Sequence, residues 1–154
     1  MNVVLEGMFM NSYSPEWFKI FELVDKKTYE KYKNRPDYLL RFFDPRILWT
    51  MDSIRNHFKR SVTVNDWYWG GNYQYRGLRP FNCKIGAILS MHKYGRAIDS
   101  KMEDMSAEEI RQDIFNNQDA DRYKYITRVE MKVSWLHLDT SNVDISKGII
   151  KIFP

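Results

Sequence analysis

Residues 90–99 read SMHKYGRAID, and residues 134–139 read SWLHLD. Two of the three histidines in the chain, His92 and His137, lie in these stretches, and Asp99 closes the first of them. A catalytic zinc site needs three protein ligands and one position open to water, and two histidines with one aspartate meet that need. The two stretches therefore predict a metal site formed by His92, Asp99 and His137.

Spacing alone leaves other interpretations open. A lone histidine is more often a hydrogen-bonded packing residue, and a lone aspartate is more often a helix cap or a surface charge. In favour of a site, a backbone bend at Gly95 lets His92 and Asp99 point inward from a turn and the strand that follows it. His137 would then come from a neighbouring strand, whereas His57 lies apart on a predicted helix.

Helices are indicated at three places along the chain. Residues 44–58 begin with an Asp-Pro cap and continue with apolar side chains at helical spacing. Residues 106–116 begin with a capping box formed by Ser106 and Glu109. Residues 14–16, Ser-Pro-Glu, predict a further short helix that starts at the proline.

Strands are predicted at five places, from alternation of apolar residues or from extended apolar runs. They cover residues 61–65, 96–102, 123–131, 135–139 and 148–154. Helices and strands in this mixture indicate an α+β fold, and the length of 154 residues fits a single domain over residues 1–154.

Composition narrows the classes of protein to consider. The 24 basic residues are interleaved with 20 acidic ones, so the net charge of +4 indicates a mixed solvated surface rather than a nucleic-acid-binding face. The single cysteine, Cys83, excludes an internal disulfide or a cysteine-rich zinc ribbon. The N-terminal stretch has no basic region, and Glu6 interrupts its apolar residues. We therefore expect neither a signal peptide nor a membrane span.

The first motif resembles the Ser-x-His-x-x-Gly-x-Ala-x-Asp signature of zinc D-Ala-D-Ala carboxypeptidases and L-Ala-D-Glu endopeptidases. Its specified positions are filled by Ser90, His92, Gly95, Ala97 and Asp99. The stretch SWLHLD is similar to the second motif of that family, in which a histidine supplies the third zinc ligand. The resemblance implies a small antiparallel sheet that carries a Zn²⁺ site and packs against helices on one side.

The likeness extends to residues 44–58, 61–65 and 65–80, which look like the leading half of phage-encoded members. In that family an arginine ahead of the first motif binds a substrate carboxylate or polarises the scissile carbonyl, and Arg79 stands at the matching position. The alternative for Arg79 is a surface salt bridge. Trp67, Tyr68 and Trp69 either line the substrate groove or belong to the core.

The family also uses a glutamate as general base, and Glu130 is the candidate here. Glu130 precedes His137 by seven residues, whereas many members place the base three residues before that histidine. Residues seven apart on one strand face opposite sides, so Glu130 reaches the metal only if the chain bends near residues 132–134. Asp139 either accepts a hydrogen bond that fixes the site or simply ends the strand. Ser90 is expected beside the ligands.

The resemblance implies zinc-dependent hydrolysis of peptide bonds in peptidoglycan stem peptides, with carboxypeptidase and endopeptidase activity both left open. The protein would be made in the cytoplasm and act at the cell wall after lysis or after delivery by a phage. The alternative is a non-catalytic structural protein, for which virion proteins would be the partners. It predicts that Glu130→Gln changes nothing measurable.

Overall fold

The computed structural model of the chain describes residues 12–154. Its α-helices are α1 (Ile20–Leu23), α2 (Lys26–Tyr32), α3 (Pro36–Leu40), α4 (Pro45–Phe58) and α5 (Ala107–Asn116). Its strands are β1 (Val62–Thr63), β2 (Ala97–Met102), β3 (Arg128–Glu130), β4 (Leu136–Asp139) and β5 (Ile150–Ile152). Short 3-10 helices lie at Trp67–Trp69, Met91–Tyr94 and Asp121–Tyr123. The predicted α+β class is confirmed.

The strands form one sheet in the order β1-β2-β4-β3-β5. Neighbours pair antiparallel except β3 and β5, which are parallel, so the sheet is mixed rather than antiparallel throughout. Asp139 at the end of β4 and Ile150 at the start of β5 both pair with Arg128. The chain between them therefore stays at one end of the sheet and crosses to the free edge of β3, where β5 runs in the same direction.

Helix α4 has the predicted boundaries. The Asp44 carboxylate accepts a hydrogen bond from the Arg46 N–H, and Pro45 occupies the first turn. The helix ends at Lys59, which adopts the left-handed conformation with φ 53°. The predicted apolar face is buried through Ile47, Leu48, Met51 and Ile54.

The prediction of a helix that starts at residues 14–16 is wrong. Among the described residues the first helix begins at Ile20, and residues 16–17 form a bend that tertiary hydrogen bonds fix against Asp52 of α4. Its carboxylate accepts hydrogen bonds from the N–H groups of Glu16 and Trp17, at 2.6 and 3.2 Å, and from the Tyr13 hydroxyl at 2.8 Å.

Three predicted strands are shorter than the sequence indicates, and one of them, predicted over residues 148–154, is confined to β5. The other two are shortened by hydrogen bonds of their own backbone. The strand predicted over residues 61–65 ends at Thr63, and Asn65 binds helix α1 through its N–H to Glu22 and its amide to Val24. The strand predicted over residues 123–131 is confined to β3, because its first residues form a 3-10 turn. Tertiary hydrogen bonds override local β-propensity in the first of these two, and the local hydrogen bonds of a turn do so in the second.

The core lies on one face of the sheet, where the helices pack against it. Ile98 of β2 and Leu136 and Leu138 of β4 join the apolar side chains of α4 and α5 in one cluster. Since side chains alternate along a strand, Asp99 and His137 point to the opposite face. None of the helices within residues 12–154 is long and apolar enough to cross a bilayer.

Candidate metal centre

Pairing between β2 and β4 brings two of the predicted ligands together. Asp99 and His137 are direct cross-strand partners in the antiparallel register. Directly opposed residues carry their side chains on the same face of a sheet, about 5 Å apart at Cβ. Both side chains are nearly buried, which removes water that would screen their interaction.

His92 reaches the same point from the 3-10 turn that precedes β2. The turn ends at Gly95, which has φ 65°. A Cβ atom at Gly95 would clash with the backbone carbonyl oxygen of Phe42, so this position requires glycine on two grounds. The tight turn directs the buried His92 ring onto β2.

The three side chains converge on one point. His92 Nε2 lies 3.3 Å from Asp99 Oδ1, and His137 Nδ1 lies 2.7 Å from the same oxygen. One ligand atom from each of the three residues lies within 4.8 Å of the other two. The structure thus brings together the three residues that the motifs single out.

Each histidine is held through its other ring nitrogen. His92 Nδ1 lies 2.9 Å from the Gly77 carbonyl, which can only accept, so Nδ1 carries the proton and Nε2 offers a lone pair. His137 Nε2 lies 3.3 Å from the Asp139 carboxylate, which leaves Nδ1 for the site. Metal-binding histidines are oriented in this way by acceptors behind them.

Asp139 is fully buried and has several partners besides His137. Arg128 donates to both of its carboxylate oxygens, and the Ser141 N–H donates to one. Burial raises the pKa of Asp139, but the hydrogen bonds from His137 and Arg128 outweigh it and lower the pKa to about 2. Asp139 is therefore a charged acceptor behind His137, and its role in fixing a metal site stays a prediction.

The same network sets the charges at the site. Burial raises the pKa of Asp99, yet hydrogen bonds from His137 and His92 hold that pKa well below its usual range. Burial lowers the pKa of His137, but hydrogen bonds to Asp139 and Asp99 raise it to about 9. A metal ion would replace the proton that His137 shares with Asp99.

The donor set fits zinc. Two ligands of a tetrahedral zinc ion lie roughly 3.4 Å apart for bonds of about 2.1 Å. The distance between His92 and Asp99 is close to this value, and the shorter contact between His137 and Asp99 is a hydrogen bond that ligation would replace. Two imidazoles and one carboxylate also leave a fourth position, as catalytic zinc sites do.

Arg79 lies beside the three residues. Its Nη2 is 3.2 Å from Asp99 Oδ2, and its Nε donates to the Tyr75 carbonyl at 2.6 Å. Burial lowers the pKa of Arg79, and the nearby carboxylates of Asp99 and Glu130 offset only part of this decrease. Arg79 is thus a buried cation at the site rather than part of a surface salt bridge.

Glu130 stands at the end of β3, next to β4. The β3–β4 register pairs Arg128 with Asp139, and its continuation brings Glu130 opposite His137 on the same face. The chain bends over residues 132–135, with φ 60° at Lys132. The chain therefore bends where it must if Glu130 is to face the site, and Glu130 and His137 lie on adjacent strands.

A cleft of about 360 Å³ opens next to Asp99. Arg79 lines this cleft. Three aromatic side chains and two further cations also line it: Tyr73, Tyr75, Trp135, Arg76 and Lys101. Sequence reasoning did not assign these five residues to the groove. Two of them could have been predicted from their positions in the sequence. Trp135 lies within the motif SWLHLD, and Lys101 is two residues after Asp99 and so faces the same side of the strand.

The tryptophans proposed for the groove pack elsewhere. Trp67 donates its Nε1–H to the Val24 carbonyl and contacts Tyr29, and the exposed Trp69 meets Phe21 edge-on. Ser90 precedes the turn that carries His92 and accepts through its carbonyl from the Lys93 N–H. The hydroxyl of Ser90 makes no capping hydrogen bond to the described part of the chain.

Comparison of the chain with protein-family models, with curated proteins and with solved structures finds no match. The likeness to zinc carboxypeptidases and endopeptidases therefore stays a prediction that rests on the two motifs.

Proposed function

We propose that the chain is a zinc-dependent peptidase that hydrolyses peptide bonds in peptidoglycan stem peptides, of the D-Ala-D-Ala carboxypeptidase or L-Ala-D-Glu endopeptidase type. One observation carries the proposal: His92, Asp99 and His137 each aim one ligand atom at a common point beside an open cleft. The order and spacing of these residues in the sequence support the same family.

The residues around that point divide the chemistry among them. A zinc ion held there would supply a positive charge that polarises the scissile carbonyl and lowers the pKa of a nearby water molecule. Glu130 accepts a proton from the attacking water at a carboxylate oxygen and returns it to the leaving amine nitrogen. Arg79 donates an N–H to the carbonyl oxygen as negative charge develops on it. Asp139 keeps His137 in the ligating tautomer.

The cleft supports an anionic peptide as substrate. Arg76, Arg79 and Lys101 line it, and a guanidinium binds a carboxylate through two parallel hydrogen bonds. Stem peptides carry free carboxylates that these cations would pair with. Trp135 and the tyrosines of the cleft provide apolar walls that exclude water from the peptide backbone.

The test is digestion of purified stem peptides by the zinc-loaded protein, with the products identified by mass spectrometry. We expect cleavage by the wild type and a loss of at least about 100-fold in Glu130→Gln, because the base is gone while the zinc ligands remain. Glu103→Gln, which changes an exposed glutamate, is the matched control and should cleave normally.

Intact stem peptides after incubation with the zinc-loaded wild type would overturn the proposed peptidase. If zinc is bound in that case, the alternative of a non-catalytic protein that retains the site becomes the better account.

A further inference from the structure

Arg111 of helix α5 is almost completely buried, with 2% of its surface exposed. Helix α5 itself is fixed at its start by the capping box of Ser106 and Glu109, in which each residue's side chain bonds the backbone of the other. A buried guanidinium is costly unless its donors are satisfied, so its partners indicate what it does.

The partners of Arg111 are backbone carbonyls of one short segment. Its Nε donates to Glu130 at 2.9 Å, and its Nη2 donates to Val133 and Trp135 at 2.6 and 2.7 Å. Its Nη1 contacts the Glu108 carboxylate at 3.1 Å, on the same helix. The carbonyls of a bent segment cannot all pair with a neighbouring strand. Arg111 supplies the donors that such a strand would otherwise provide.

This segment joins the proposed base to the strand of the third ligand. Glu130 ends β3, and Trp135 is two residues before His137. The N–H of Met131 is tied to Ile152 of β5, which holds the first part of the segment. A rigid planar group that bonds both Glu130 and Trp135 fixes the separation of their backbones, and therefore of the two functional side chains.

We propose that Arg111 is a positioning residue that sets the separation between Glu130 and His137. This inference rests on the proposed function for the role of Glu130, but the fixing of residues 131–135 is a property of the fold and is measurable without a substrate.

The experiment compares wild type with Arg111→Lys and with Glu108→Gln. Lysine keeps the charge, but its single nitrogen cannot reproduce the planar fork that reaches three carbonyls. Glu108→Gln removes the ion pair of Arg111 and leaves its carbonyl contacts in place, so it is the matched control. Zinc content, kcat, KM and amide hydrogen exchange are measured for all three proteins.

For Arg111→Lys we expect kcat to fall about 100-fold, with KM changed by less than about twofold and zinc retained. Hydrogen exchange of residues 131–135 should rise while that of β2 stays at its wild-type value. Glu108→Gln should match the wild type in every measurement. A kcat within about twofold of wild type for Arg111→Lys would overturn the proposal.

Loss of zinc, or faster exchange throughout β2 and α5, would assign Arg111 to general stability and would also overturn the proposal. If wild type cleaves no stem peptide, the proposed function fails and exchange alone decides. Faster exchange confined to residues 131–135 then supports the role of Arg111 in fixing that segment, and unchanged exchange overturns it.

Discussion

Arg79 and Arg111 are both buried, but their guanidinium groups face different surroundings. Arg79 borders the cleft and pairs with Asp99, with further donors directed at the carbonyls of Tyr75 and Ile85. Arg111 faces three carbonyls of one bent segment and a carboxylate of its own helix. The first arrangement leaves a cation within reach of a ligand, whereas the second uses the cation to hold the backbone.

Burial of a charged side chain therefore does not identify a functional residue by itself. A buried guanidinium next to a cleft can exchange its partners for water or substrate. One enclosed among carbonyls cannot, so its removal leaves those carbonyls unsatisfied. Substitution of either arginine should therefore lower activity, but only substitution of Arg111 should also lower the free energy of unfolding by several kcal/mol.

The largest effect is expected for Arg79→Met. We expect kcat/KM on stem peptides to fall about 100- to 1,000-fold, because a donor to the developing charge on the carbonyl oxygen is lost. The free energy of unfolding should change by less than about 1 kcal/mol, since water in the cleft replaces the donors. Peptide-cleavage kinetics and urea denaturation measure the two quantities. If Arg79→Met lowered the free energy of unfolding as much as Arg111→Met does, the distinction between the two arginines would be lost.

Arg111→Met should differ from Arg79→Met by lowering stability as well as activity, because it removes the donors that hold the backbone of residues 130–135. Three partly buried carbonyls lose their donor, and we expect the free energy of unfolding to fall by about 3 kcal/mol. Arg46→Met is the matched control, because Arg46 is part of a half-exposed ion pair with Asp44 and should cost less than about 1 kcal/mol. Urea denaturation of both variants checks this, and a loss in Arg111→Met no larger than the control would contradict it.

Arg111 also marks the limit of what the sequence predicts. Helix α5 and its capping box follow from Ser106 and Glu109, and the apolar face of α4 follows from its spacing. The role of Arg111 has no local signal, because its carbonyl acceptors lie 19 to 24 residues further along the chain. Only the folded chain brings it to the bend at residues 132–135.

Parts of the candidate site could likewise be predicted from the sequence, and other parts could not. The motifs single out His92, Asp99 and His137, and strand pairing brings the last two together. The groove could not be read from aromatic content, since Trp67 and Tyr73 have similar chemistry and only the loop path separates them. The parallel pairing of β5 was missed because direction depends on the route of residues 140–149.

The smallest effect is expected for Asp44→Asn, which tests how the ion pair between Asp44 and Arg46 depends on pH. Burial raises the pKa of Asp44, but hydrogen bonds from Arg46 and Thr140 lower it below its usual value overall. Its stabilisation is therefore present above the unfolded pKa near 3.8 and is lost as pH falls through the lower folded pKa.

At pH 7 we expect Asp44→Asn to cost about 1 kcal/mol through the lost charge that pairs with Arg46, because asparagine still caps α4. Urea denaturation at several pH values should show the wild type and the variant converging in acid. A difference that is constant with pH would show that the charge of Asp44 does not contribute.

Whether His92, Asp99 and His137 bind zinc is tested most directly by the zinc content of the purified protein. It is measured by elemental analysis after incubation with zinc and removal of unbound metal. We predict about one equivalent for wild type, little or none for His92→Ala and His137→Ala, and about one equivalent for His57→Ala, which changes the histidine outside the site. A metal-free wild type, or zinc that survives in both His92→Ala and His137→Ala, would contradict the account.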